Sequence, residues 1–387
     1  MVWKVLPCVN WLSAIFPIHN LLSIVLKRLK NIPIYYWLLL GYHFVFTFFA
    51  YQIRVERGRA DSQLYWFQNF YTQGKSWFDF FHYGTDFILF LNYPFVKLGI
   101  PYWGGFLLYS SIGFLGIIQW IRWTKVVMKD ILVKDKTNLF WLIFLLPNLH
   151  YWTASLGKES FVFFGIASIF YAFATSHFKS ISFVLGSLLV VIIRPHVALM
   201  LFASIVLLLL FQKTYSFKKR LFLFSVSCLL LLSLTYMAFQ ISAIRYWNWE
   251  RIQYFNKYSI LSFEHSGSYV PMLDYTYFYK IFSFLFRPLF YDTHNLSLVL
   301  ASIENVLMLI IFGLTLLALV RYYAKIIFPV WIKITILYTL LIIIVYVERY
   351  ANLGIFMRTK MMFQPFLLIA MLSIINQGIT LYKKNHE

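Results

Sequence analysis

Apolar residues run through this chain in long blocks, neither alternating nor confined to one helical face. Clear runs lie at 33–53, 102–121, 221–242, 295–320, 328–347 and 362–377, each close to the roughly 20 residues a helix needs to cross a bilayer. Two longer tracts, 137–176 and 180–213, are each interrupted by a polar turn: Ser155-Leu156-Gly157-Lys158-Glu159-Ser160 in the first and Arg194-Pro195-His196 in the second. Each tract reads as a helical hairpin of two short spans. The pattern therefore predicts an all-α, polytopic integral membrane protein of about ten transmembrane helices. External loops fall at 54–101 and 243–294. The stretch 86–100 is too short and too interrupted to cross, and reads as a re-entrant or interfacial segment. The aromatic-rich second loop predicts interfacial helices at headgroup level. No repeat and no linker divides the chain, so residues 1–387 read as one membrane domain.

Composition agrees with this pattern. Hydrophobic residues make up 61% of the 387, and charged residues only 12%, about half the share of a soluble domain. Two cysteines exclude a disulfide scaffold. The net charge of +20 would suit nucleic acid only if it formed a basic block outside the bilayer; here the basic clusters are short and lie between apolar runs, so no nucleic-acid partner is expected. Charge instead sets the orientation. With the N-terminus inside, the internal segments hold 19 of the 34 Lys and Arg and 3 of the 14 acids, giving +16 inside against +4 outside. Lys and Arg collect on the cytoplasmic side, so both termini are expected there. Residues 1–32 are apolar but broken by Pro7, Asn10 and Pro17 and end in Lys27-Arg28-Leu29-Lys30. They read as a cytoplasmic amphipathic segment.

Several chemistries lack their motifs. There is no G-x-x-x-x-G-K-[ST] loop for a nucleotide, no H-E-x-x-H and no paired C-x-x-C for zinc, so neither cofactor nor metal is expected. Polar residues from separate segments nonetheless converge on the outer side of the expected topology: Arg54, Arg59, Asp61 and Tyr65 after the first span, Lys158 and Glu159 in one hairpin turn, Arg194 and His196 in the other, and Arg287 and Arg358 further on. Glu304 lies inside an apolar run, where an ionisable group is costly. Plainer roles compete: snorkelling for the cations, a helix cap for Asp61, a local pair for Lys158 and Glu159, helix packing for Glu304. The sharper reading is transfer of a lipid-linked group. Arg and Lys would clamp a phosphate leaving group, and Asp61 would be the general base for an acceptor hydroxyl.

At these residues the chain resembles bacterial polysaccharide-locus membrane proteins, the EpsG/Wzy-type polymerases, and more distantly the GT-C glycosyltransferases. The likeness rests on Arg54, Gly58, Ala60-Asp61, Tyr65 and Phe70, on Leu146-Pro147-Asn148 before Gly157-Lys158-Glu159-Ser160, on Arg194-Pro195-His196, on Arg287-Pro288 leading to Glu304-Asn305, and on Asn352-Leu353-Gly354 with Arg358. Lys158-Glu159 stands where EpsG proteins often carry Arg-Gln. The resemblance implies a catalytic Asp61 and polymerisation or transfer of undecaprenyl-linked sugars at the outer face of a bacterial cytoplasmic membrane. Its expected partners are a polyprenyl-linked saccharide, membrane lipids and other polysaccharide-assembly proteins. A flippase for lipid-linked sugars and a non-catalytic membrane subunit are the rival readings.

Overall fold

The computed structural model describes residues 33–58, 61–67, 74–129, 139–210, 217–241, 248–293 and 296–385. The expected amphipathic segment 1–32 and Arg59 lie outside them. Among the described residues the fold is all-α, as the apolar blocks predict, with one isolated β-bridge between Tyr269 and Asn352. In chain order the helices are α1 (Ile34–Arg57), α2 (Asp61–Trp66), α3 (Thr85–Lys97), α4 (Tyr102–Val127), α5 (Pro147–Thr153), α6 (Lys158–Thr175), α7 (Ile181–Ile193) and α8 (Pro195–Leu210). They continue as α9 (Phe217–Ile241), α10 (Trp249–Leu261), α11 (Tyr277–Phe286), α12 (Leu296–Tyr322), α13 (Val330–Val347), α14 (Leu353–Lys360) and α15 (Gln364–Lys384). The chain divides within α1, between Tyr42 and His43. In the first unit the rings of Tyr35 and Tyr36 lie with centres 4.2 Å apart, tilted by 32°. All other elements belong to the second unit, His43–Glu387.

Five of these helices, α1, α4, α12, α13 and α15, are long and apolar enough to cross a membrane, and α5 with α6 makes a sixth if that bent pair counts as one span. The first expected hairpin takes a particular form. Its outgoing arm is only seven residues of α-helix, about 10 Å long, preceded by a 3₁₀ segment at Leu139–Leu145. The arm then turns through 114° into α6. Pro147 starts α5 because its missing N–H costs nothing in a first turn. At the other end, the Ser160 hydroxyl donates to the carbonyls of Thr153 (2.8 Å) and Ser155 (3.1 Å), satisfying groups the broken helix leaves open. The second tract breaks as its Arg-Pro pair requires. Arg194 adopts φ −140°, ψ 73°, outside the helical region that a following proline disfavours, and α8 begins at Pro195.

The helices turn their polar faces inward, as membrane helices do. On α12, Ala301, Ser302, Glu304, Asn305 and Met308 are buried, whereas Ile303, Leu307, Ile310, Leu314 and Leu317 form an exposed apolar stripe at alternating spacings of four and three. Small residues set the closest approaches. A Cβ on Gly165 of α6 would fall 2.4 Å from the carbonyl oxygen of Gly186 on α7, and one on Gly113 of α4 would fall 2.0 Å from that of Thr153. Aromatic rings fill the interior. Phe170 of α6 stacks on Phe366 of α15 at 4.3 Å, with Trp123 of α4 against both.

Candidate functional site

The site is built around Glu159, the second residue of α6. A carboxylate in a helix's first turn faces the positive end of the helix dipole, and this one is buried. Its side chain folds back over Gly157, where a Cβ would lie 2.8 Å from Oε2. Two guanidinium groups, from Arg194 at the α7–α8 break and Arg358 on α14, both donate to Glu159 Oε1. Arg194 also reaches Met362 Sδ at 3.4 Å. Arg358 extends further, its Nη1 donating to Asp61 Oδ2 at 3.1 Å. Residues that stand 297 positions apart in sequence thus share one ion network.

Asp61 opens α2. That short helix is held by Asn92 of α3, whose Nδ2 donates to the Tyr65 carbonyl (3.2 Å) while its Oδ1 accepts from the Tyr109 hydroxyl (2.7 Å). A hydrogen bond of 2.8 Å between Ser62 and the Tyr102 hydroxyl adds a second tie. Asp61 stays open, its side chain 60% exposed against 3% for Glu159. Tyr65 is buried beneath it. Burial, with the Asp61 charge adding to it, pushes its hydroxyl up to about 12, so it remains a neutral hydrogen-bonding group. Lys158 turns the other way and donates to Thr85 Oγ1 at 2.7 Å, at the start of α3. Beside Arg194, His196 shares a 2.9 Å hydrogen bond with the Tyr346 hydroxyl of α13.

Counting Lys158, Arg194 and Arg358 against the carboxylates of Asp61 and Glu159, the cluster carries one positive charge in excess. Arg54 adds another without joining the ion pairs. Its guanidinium lies over Trp152 of α5, 5.5 Å from the ring centre, and Arg358 packs on the same ring at 5.9 Å, both within cation–π range.

Arg287 and Glu304 belong to a second cluster. Arg287 pairs with Asp292 and donates to the Tyr275 hydroxyl at 3.1 Å. Glu304 Oε2 accepts from the backbone N–H of Asn148 at 2.9 Å, one of the open donors in the first turn of α5. Lys360 completes this cluster. It is 1% exposed and donates to the Arg287 carbonyl (2.6 Å) and to Asn305 Oδ1 (2.8 Å). Burial lowers its ammonium to about 7, with Glu304 opposing. A neutral amine has two N–H donors, and two acceptors await them. Asn148 bridges onward: Nδ2 donates to the Met357 carbonyl (2.8 Å) and Oδ1 accepts from Trp152 Nε1 (3.1 Å). Trp152 thereby touches both clusters.

Asp61, Lys158, Glu159, Arg194 and Arg358 converge from separate segments, as their positions at breaks in the apolar pattern suggest. Thr85 and Asp292 take part without any signal in the sequence, whereas Lys360 reads there only as a cation flanking the last external loop, and Asn305 and Trp152 only as members of the runs around Glu304 and Asn148. The Asn305 and Trp152 roles depend on helix rotation, which an unbroken apolar run does not encode. Among the described residues no group of three or more His, Cys, Asp or Glu could hold a metal ion. No family model, curated protein or solved structure matches the chain.

Proposed function

We propose that this protein transfers or polymerises sugars carried on a polyprenyl phosphate, at the outer face of a bacterial cytoplasmic membrane, with Asp61 as general base. The observation that carries the reading is the asymmetry of the two carboxylates. Glu159 is buried and spends its charge on two guanidiniums, whereas Asp61 is open and touches only the outer end of one of them. A group in that position can accept a proton from a substrate while a cation beside it meets developing negative charge. In the proposed step an acceptor sugar hydroxyl attacks the anomeric carbon of the donor, and its proton passes to Asp61. The bond from that carbon to the phosphate oxygen breaks, and the leaving polyprenyl (pyro)phosphate takes the electron pair. Arg194, Arg358 and Lys158, with their excess positive charge, balance it, Arg through planar two-point contacts. The leaving-group energy resides in the donor, so no nucleotide is needed.

The reading includes ten crossings with both termini cytoplasmic. Supporting it are the charge asymmetry along the chain and three shorter apolar helices that fall within the expected crossing tracts: Ile181–Ile193, Pro195–Leu209 and Phe224–Tyr236. Asp61→Asn tests the chemistry. It is nearly isosteric and caps a helix about as well, so protein level should hold while long polymer disappears and lipid-linked units accumulate. General-base assistance is worth roughly 10²–10⁴-fold in rate. A wild-type chain-length distribution in that strain overturns the assignment.

A further inference from the structure

Between α5, α12, α14 and the 267–268 turn lies a cavity of about 400 Å³, lined by residues that include Asn148, Tyr151, Trp152, Ser268, Ala301 and Met357. That volume falls within the roughly 300–1,000 Å³ of small-molecule sites. Its walls are fixed by the Trp152–Asn148–Met357 hydrogen bonds, and Trp152, which lines it, also carries the guanidiniums of Arg54 and Arg358 against its ring. Two of its side chains are unspent: the hydroxyls of Tyr151 and Ser268 make no hydrogen bond among the described residues. The backbone of Gly267 and Gly354 adds polar surface without side chains. A second cavity, near 230 Å³ between α12, α13 and α15, offers the contrast. Met308, Phe312, Leu316, Ile343, Leu367 and Met371 line it, an apolar crevice suited to lipid. The first cavity has instead the mixture a sugar requires, an aromatic ring for the C–H face and hydroxyls for the rim.

We infer that this cavity seats a neutral sugar unit of the substrate, with Tyr151 as its ring platform and the Tyr151 and Ser268 hydroxyls as its hydrogen-bonding partners. The inference rests on the functional reading above. It places the sugar beside Trp152 and the phosphate near the Arg54 and Arg358 guanidiniums that pack on the same indole.

The test uses the full chain in phosphatidylcholine nanodiscs, probed by saturation-transfer NMR with the methyl glycosides of glucose, galactose, N-acetylglucosamine and rhamnose. At least one glycoside should receive saturation. Ala301→Phe, which places a ring in the cavity, should abolish that signal. Tyr151→Phe, which removes one hydroxyl and spares the fold, should weaken binding about 3–10-fold, and it decides the matter if the Ala301 variant fails to elute as a single species. Absence of transfer to all four glycosides, saturation of lipid acyl protons alone, or wild-type binding by the folded variants overturns the inference. The two proposals fail separately. Asp61→Asn should bind glycosides normally, and if it also makes normal polymer the catalytic reading falls while the cavity assignment stands. If Asp61→Asn abolishes polymer but a folded Ala301→Phe binds glycosides as before, the cavity assignment falls alone.

Discussion

Glu159 and Asp61 carry the same charge into one network, yet their substitutions should have opposite consequences. Glu159 is buried against two guanidiniums, and removing one partner of a buried pair leaves charge uncompensated at a cost of about 3–5 kcal/mol. Glu159→Gln should therefore lower the thermal midpoint of the detergent-solubilised protein and reduce its yield. Asp61→Asn, at the exposed rim, should stay within about 0.5 kcal/mol of wild type, measured in the same melts. Equal losses would mean that Asp61 is a structural partner. Lys360 gives a pH signature. Its folded pKa lies near 7, below the ordinary lysine value, so between about pH 7 and 10.4 the unfolded chain holds a proton that the folded one lacks. Stability should rise with pH across that window, by at most about 1.4 kcal/mol per unit, and level off above it; below about 7 both states are protonated. Lys360→Met should flatten the rise in the thermal midpoint.

Among the elements, α6 and α7 meet where Gly165 faces Gly186. Gly165→Ala would set a methyl group 2.4 Å from a backbone oxygen and should cost about 1–3 kcal/mol as the helices part. Gly313→Ala on α12, where a Cβ meets nothing within 4 Å, should be neutral or stabilise by up to about 1 kcal/mol through helix propensity. Thermal unfolding of the two variants together separates packing from propensity. The same elements show what the sequence discloses. Polar turns that interrupt apolar tracts are visible because they have a cost, and Lys158-Glu159 and Arg194-Pro195 marked the site for that reason. The shape of the first hairpin was less visible. Residues 139–145 are as apolar as any span, yet they form a 3₁₀ segment and leave α5 a short foot, because Pro147 and the Ser155–Gly157 bend close the helix at both ends. The Lys360–Asn305 contact was hidden too, since each residue lies in its own segment and only their packing joins them.

At the scale of the whole molecule, the charge along the chain assigns one side to the loop after α10 and the other to the turn after α12. Both are exposed, at Ser262 and at Ala324. In a background with Cys8→Ser and Cys228→Ser, Ser262→Cys should react with an impermeant maleimide added to intact cells, and Ala324→Cys should react only after permeabilisation. Labelling in the reverse order would invert the topology and place the site on the cytoplasmic side. Apolar surface, by contrast, carries little information about orientation. The exposed stripe of α12 would serve equally well in a membrane helix of either direction.

Arg358 and Lys360 sit two positions apart on α14, and successive residues of a helix are about 100° apart around its axis. One therefore faces the ion network while the other faces the Glu304–Asn305 cluster. A single inserted residue between them would swing one out of its place, whereas the apolar residues around them can exchange for one another at little cost. Divergence in such a chain should erode the hydrophobic bulk and spare the polar spacing. Distant relatives would then be found by a sparse signature: Asp after the first span, Lys-Glu and Arg-Pro-His at two breaks, and Arg-x-Lys beyond an Asn-x-Gly.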